Sequence, residues 1–445
     1  MENGGLAKGQ STLPKFRTLA KLIAPSPAHR PVLAIFASYL RKARMQVIEV
    51  GPNATYQSEF IQFPVRLYRN DPYWIRPLDT DVTDVFDPAR NKRFDNGECV
   101  RYLLLNDRQE IIGRVAAFVD REIANFDNEQ PTGGLGFFEC IDDQAVAFRL
   151  FDAGKAWLQS RGMEAMDGPV NFGDRDRWWG LLVDGFEREP NYCMPYTKPY
   201  YISFFENYGF QDYFKQFTFG IPTTWDKLTS MSQAVKDRAQ RIYENPDYSF
   251  RTIDKRQLPV VAEQFRHIYN AAWAGHSGVK EMSAGQAQGL MQKLKPVLDE
   301  KIIYFAYFGD EPVAFFVCLP ELNQVFKHVN GKLDLIGKLT FLWHMVRKTN
   351  RKAFGVVFGV APAHQGKGLE AAIALRMPHE AAHNPNFQYT ELEMNWVGDF
   401  NPIMMRFVSQ LGSTIVKTHV TYRYLFDRTK PFKRCPVIGR KKEKS

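Results

Sequence analysis

The stretch Val356-Val-Phe-Gly-Val360-Ala-Pro-Ala-His364-Gln365-Gly366-Lys367-Gly368-Leu369 is the part of this chain best equipped for chemistry. An apolar, β-branched run feeds a turn with two glycines, and a helix-forming run follows at once. Without Cβ atoms, the backbone at Gly366 and Gly368 lets a ligand come close, so amide N–H groups can point at phosphate oxygens. A helix amino terminus behind the loop adds partial positive charge. A pyrophosphate is the natural guest. A Walker-type loop is excluded, because Lys367 lacks the preceding G-x-x-x-x-G spacing and is followed by Gly rather than Ser or Thr. A dinucleotide site fits Gly366, Gly368 and Ala371 as G-x-G-x-x-A, with Glu391 and Glu393 roughly 20 residues on. In that fold, however, the strand runs straight into the first glycine, whereas Pro362 to Gln365 intervene here. A plain strand-to-helix turn is the remaining alternative.

The segment resembles motif A of the GCN5-related N-acetyltransferase (GNAT) superfamily, V-x-P-x-x-[QR]-G-x-G-x-[GA], matched from Val360 through Gly368. The resemblance implies an acyl-coenzyme A site whose co-substrate is acetyl-CoA or a longer acyl-CoA, with no metal. It assigns the pantetheine arm to main-chain groups near Phe358 and Val360. The pyrophosphate falls to Gln365, Gly366, Lys367, Gly368 and Leu369, and His364 joins them as a cofactor-binding residue of the loop. Glu370 departs from the pattern, and its carboxylate has to turn outward if phosphate is to enter.

Amine attack on a thioester needs a neutral nucleophile, and an alkylamine of pKa near ~10.4 is almost wholly protonated at neutral pH. A base must therefore take the proton, and a main-chain N–H beside the long strand must meet the oxyanion. Glu393, which shares a strand face with Glu391, is the first candidate for the base. Asp399 and His344 follow it, and structural carboxylates are the competing reading. The helix Asn401 to Gly412 resembles the superfamily's N-x-x-A-x-x-[LF]-Y-x-K-x-G pattern, which makes Asn401 a candidate coenzyme contact as well as a helix cap. Val408 stands where many members place a Tyr acid. Tyr422 or Tyr424 is the substitute, unless the thiol of pKa ~8.5 leaves unaided.

These residues need a frame. Hairpin signals lie at Val100–Leu105 with Ile111–Phe118, and at Ile302–Phe308 with Val313–Leu319. Each is followed by a strand and a helix: Leu135–Glu139 with Ala145–Gln159, then Lys352–Ala361 with Gly368–Met377. One order used twice predicts two copies of one α/β fold, and the resemblance implies a mixed sheet in two tandem acyl-CoA N-acyltransferase-like domains. The first is degenerate, because two carboxylates (Asp142, Asp143) replace its glycine loop. The boundaries fall at 1–44 (a basic extension), 45–222, 223–430 with the acyl-CoA site, and 431–445 (a basic tail). Over roughly residues 45 to 427 the chain also resembles a little-characterised bacterial family of tandem GNAT-like proteins, some linked to long-chain N-acylation of lipid amines. An acyl-CoA-dependent N-acyltransferase acting on an amine, such as a sphingoid base, is therefore expected. A non-catalytic acyl-CoA-binding module, a tRNA-dependent aminoacyl transferase and an NAD(P)-binding oxidoreductase are the alternatives.

Composition supports a globular chain with sizeable cores: 44% of residues are apolar and 14% aromatic. Five scattered Cys without a C-x-x-C pair indicate neither a disulfide framework nor a zinc site. The net charge of +9 suits anionic partners. Nucleic acid is not expected, whereas a peripheral contact with an anionic membrane is, through the apolar and basic run Leu333–Lys348. A cytoplasmic setting follows from these readings, and the oligomeric state is not read.

Overall fold

The computed structural model describes residues 45–125, 128–224, 231–273 and 281–438. The basic segment 1–44 and the end of the tail lie outside the described residues. In chain order the first half contains β1 (Gln46–Glu49), α1 (Ala54–Leu67), α2 (Asp79–Val85), β2 (Gly97–Leu105), β3 (Ile111–Asp120) and β4 (Thr132–Cys140). It continues with α3 (Gln144–Gln159), β5 (Ala165–Gly168), β6 (Leu181–Asp184), α4 (Tyr201–Tyr208) and β7 (Gln211–Pro222). The second half opens with α5 (Gln233–Glu244), then repeats the series as β8 (Tyr248–Thr252), α6 (Leu258–Trp273), α7 (Ala284–Leu294), β9 (Ile303–Phe308) and β10 (Glu311–Pro320). Two inserted helices, α8 (Asn323–Phe326) and α9 (Leu335–Val346), precede β11 (Lys352–Val360). The chain then forms α10 (Leu369–Ala374), α11 (Arg376–His383), β12 (Glu391–Gly398), α12 (Pro402–Gln410) and β13 (Thr414–Leu425).

Local chemistry explains most of these elements. Asp143 caps α3 by accepting from the Ala145 N–H at 2.9 Å, and Ala147, Leu150, Phe151, Gly154 and Leu158 recur at helical spacing on its buried face. Ser283 and Gln286 form a reciprocal capping box at the start of α7. The single helix expected over 368–377 is two short ones that meet at Leu375.

Among the described residues all strands join one mixed sheet in the order β1-β2-β3-β4-β5-β13-β7-β12-β11-β10-β9-β8, with β6 also on β13. The doubled order is borne out, with one feature that no local pattern announced. The closing strands are exchanged. β7, the last strand of the first half, pairs with β12, while β13 crosses over to β5. The two then pair with each other antiparallel at the middle of the sheet. One apolar core, including Leu135, Leu150, Phe151 and Phe205, takes Tyr422 and Tyr424 from β13. Another, including Ile302, Tyr304 and Ala306 with Leu369 and Leu392, lies in the second half.

Segment 188–192 fastens the halves together. The Asn191 Nδ2 donates to Glu393 at 2.7 Å and to Asn395 at 2.9 Å. The Tyr192 N–H donates to Glu321 at 2.7 Å, and Arg188 pairs with Glu391 at 2.9 Å.

Candidate active site

The site begins where two parallel strands part. β11 and β12 pair from Lys352 with Glu391 to Gly355 with Met394, and then separate. The other edge of β11 stays paired to β10 as far as Val360 with Ala314. Strand separation opens a cleft of about 580 Å³, lined by Phe358, Gly359, Val360, Gln365, Gly366 and Gly368 on one side. Asn401, Met404, Arg406 and Phe407 of α12 form the other side, and α5 adds Arg238. The Phe358 ring stacks on Phe407 with centroids 5.2 Å apart, which makes one wall apolar.

The two glycines of the loop serve different ends. Gly366 has φ +72°, and a Cβ placed there would meet nothing within 4 Å, so the side-chain direction at this residue is open. Gly368 has φ +105°, and a Cβ there would press on the Arg238 main-chain oxygen at 2.8 Å. It is glycine because α5 packs against it. The helix behind the loop has six residues, so an anion here would be held by individual amides more than by a macrodipole.

Glu370 does not turn outward. Its Oε1 accepts the Gly366 N–H at 2.8 Å, so a carboxylate of the chain itself sits on the amide that the resemblance assigns to phosphate. The bond is exposed, and an incoming diphosphate competes with it for the same donor. Glu370→Ala is accordingly expected to tighten acyl-CoA binding by roughly tenfold, the size of one exposed charge-assisted hydrogen bond removed. Titration calorimetry checks this, and weaker binding would show that Glu370 supports the site.

The remaining loop residues divide. Gln365 ties the loop back, its Nε2 donating to the Val360 carbonyl at 2.9 Å. Val360 therefore already has one main-chain group engaged. The Leu369 side chain is buried in the core, and Lys367 is exposed. His364 turns away from the cleft, with Nδ1 2.7 Å from the Tyr248 hydroxyl and its ring against Phe308. Asn401 caps α12 through the Met404 N–H at 3.1 Å while also lining the cleft.

Sequence reading overlooked Arg238 and Arg406. Arg238 comes from a helix with no motif, so nothing local marks it. Arg406 lies on the same helix as Asn401, and that helical spacing was the available signal. Among the described residues neither Arg406 nor Lys367 makes an ion pair, although both border the cleft or its loop. Arg406→Glu is expected to weaken acyl-CoA binding by about tenfold at low salt and less at high salt, as a screened surface charge should. Affinity measured across an ionic-strength series tests this.

The two catalytic candidates are not in the cleft. Glu393 is fully buried, with Oε1 2.7 Å from Lys352 Nζ and Oε2 2.7 Å from Lys417 Nζ. Burial pushes its carboxyl up, but Lys417 and Lys352 outweigh that and hold it down at about 2. So weak a base, shut off from solvent, does not deprotonate an amine, and the base assignment for Glu393 is withdrawn. Tyr422 is carried away by the strand exchange. It sits opposite Gly168 of β5, its ring lies 5.5 Å from Phe205, and its hydroxyl donates to Glu206 at 3.4 Å. Tyr424 lies in the same core. Asp399 pairs with Arg434 at 2.7 Å, and His344 stacks on His328 at 4.0 Å. Val408, at the usual place of the acid, packs with Phe219 and Val397.

The first half shows what a closed version of the same slot looks like. β4 and β5 also pair only briefly, from Thr132 with Ala165 to Gly134 with Asp167. There the chain itself fills the opening, since the Val170 N–H donates to the Leu135 carbonyl at 2.9 Å. The Val170 carbonyl also lies where a Cβ of Gly136 would be.

No family model matches the chain. It is 28% identical over 370 residues to Protein YghO of Escherichia coli (strain K12), covering 82% of this chain and 91% of that protein. It is 26% identical over 381 residues to the bacterial ceramide synthase of Caulobacter vibrioides (strain NA1000 / CB15N), covering 85% of this chain and 97% of that one. Among solved structures, a tandem GNAT protein from the clavulanic acid biosynthesis pathway aligns with a TM-score of 0.47 at 9% identity, covering 87% of this chain and all of that one. The doubled strand order, the parted strands β11 and β12 and the loop behind them are the mixed-sheet arrangement that the sequence resemblance to tandem GNAT-like proteins implies.

Proposed function

We propose that the second-half cleft binds an acyl-CoA and that the protein is an N-acyltransferase, moving an acetyl or longer acyl group onto an amine. The observation that carries this reading is the parting of β11 from β12 into a cleft that ends at the Gly366 loop. Phe358 and Phe407 would flank the pantetheine arm, the amides from Gly366 onward would hold the diphosphate, and Arg238, Arg406 and Lys367 would balance its charge. The co-substrate supplies an activated thioester. The chain's part is to align it with the amine and to keep the free main-chain edge of β11 at the developing oxyanion. Proton removal falls to ordered water rather than Glu393, and the thiolate departs without Tyr help from position 408. A lipid amine such as a sphingoid base is the acceptor we favour; the 26% identical relative named a ceramide synthase supports that choice.

Thiol release from acetyl-CoA and palmitoyl-CoA, each with a sphingoid base or a short alkylamine, tests the proposal. Amine-dependent release with at least one pair is the expected result. Saturable CoA binding without release from any pair would favour a second reading, a non-catalytic acyl-CoA-binding module. The Glu370 contact with Gly366 and the valine at 408 already point that way. Saturable NAD binding without CoA binding would overturn both.

A further inference from the structure

The inserted helix α9 presents its apolar side to solvent. Leu335, Ile336, Leu339, Leu342, Trp343 and Val346 are each between 53% and 75% exposed. At 100° per residue they cover one arc of about 120°. The arrangement is held, not loose. On the opposite side Phe341 stacks on Phe326 at 5.5 Å, His344 stacks on His328 at 4.0 Å, and Asp334 caps the helix through the Gly337 N–H at 2.9 Å. Gly337 itself lies against the Lys332 main chain, where any side chain would collide. An amphipathic helix normally buries such a stripe, and this one is fastened with the stripe outward.

Charge around the stripe identifies what it meets. Lys338 borders the arc on one edge and Arg347 on the other, and both are exposed. Residues 332–348 carry four cations, with Lys332 and Lys348, against one carboxylate, the capping Asp334. A protein partner has no general need for a rim of one sign. A bilayer of anionic phospholipid does, because apolar side chains enter the acyl boundary while Lys and Arg reach up to the phosphates. No described helix is long and apolar enough to cross a membrane, so α9 would lie in the surface plane.

We propose that α9 is a membrane-docking helix that seats the protein on an anionic phospholipid surface. This inference uses nothing from the cleft, and it holds whatever the cleft binds. Co-sedimentation of the full chain with vesicles, without acyl-CoA, tests it. The wild type is expected to bind vesicles containing about 30 mol% phosphatidylglycerol at least tenfold better than phosphatidylcholine alone. Leu339→Asp with Leu342→Asp is expected to lower that binding by tenfold or more with an unchanged melting temperature, since both side chains are already in water. Lys338→Glu with Arg347→Glu is expected to remove the preference for phosphatidylglycerol. The proposal is overturned if the wild type stays in the supernatant with both vesicles, or if the Leu339/Leu342 variant binds as well as the wild type. It is equally overturned if light scattering shows a dimer that this variant dissociates while vesicles bind neither form.

Discussion

Gly366→Asp is expected to lower acyl-CoA affinity by at least about a hundredfold while leaving the fold in place. A Cβ at this residue would meet nothing within 4 Å, so the new side chain enters open space beside the proposed phosphate seat, close to the Glu370 carboxylate that holds the Gly366 N–H. Two unit charges about 4 Å apart at an effective dielectric of 20 repel by about 4 kcal/mol, and a hundredfold loss needs only about 2.7 kcal/mol. Asp tolerates the positive φ better than most residues, so the cost to stability is about 1 kcal/mol, a few degrees of melting temperature. Gly366→Asn separates charge from shape, and a loss of tenfold or less is expected for it. Gly368→Asp is the poorer test, because its side chain would strike the Arg238 main chain and disturb α5 as well. Calorimetry paired with thermal melting reads all three. Unchanged affinity in Gly366→Asp would take the loop out of the site.

Glu393→Gln is expected to cost about 3 kcal/mol of stability, because it leaves the ammonium groups of Lys352 and Lys417 buried beside a neutral amide. Glu321, also buried, offsets part of that charge. Adding Lys417→Met removes one unpaired cation and should recover part of the loss. A pH series gives an independent check. The carboxyl titrates near 2 in the folded protein, below its ordinary 4.5, so its contribution is complete above about 4.5 and is lost as pH falls toward 2. The wild type should therefore lose melting temperature over that window more steeply than Glu393→Gln. Parallel curves would mean that Glu393 is not ionised in the folded state. If Glu393→Gln instead keeps full stability and loses only turnover, Glu393 returns as the base.

The legible parts of this chain were those set by neighbours in sequence. Near-continuous apolar runs over Ile111–Phe118 and Val313–Leu319, helical spacing over Ala145–Gln159 and the glycine loop after β11 gave the doubled architecture and the place of the cleft. Helix α1 was overlooked because Pro64, a residue that usually ends a helix, lies inside it. The exchange of β7 and β13 was invisible for a physical reason. A strand's alternation tells which face is buried, but not which strand lies beside it. That exchange places Tyr422 in the first half's core, so the substitute acid could not be judged from its distance along the chain. Glu393 failed differently. Its partners Asn191, Lys352 and Lys417 lie 202, 41 and 24 residues away, and only the folded sheet brings them together.

The central claim is that main-chain amides behind β11 grip a diphosphate, and amide hydrogen exchange with and without saturating CoA measures this directly. Slowed exchange over 365–371 and along α12 near Asn401, with the Val170 region of the first half unchanged, is the predicted result. Unaltered exchange at Gly366 through Ala371 under saturating CoA, or protection confined to the first half, would contradict it.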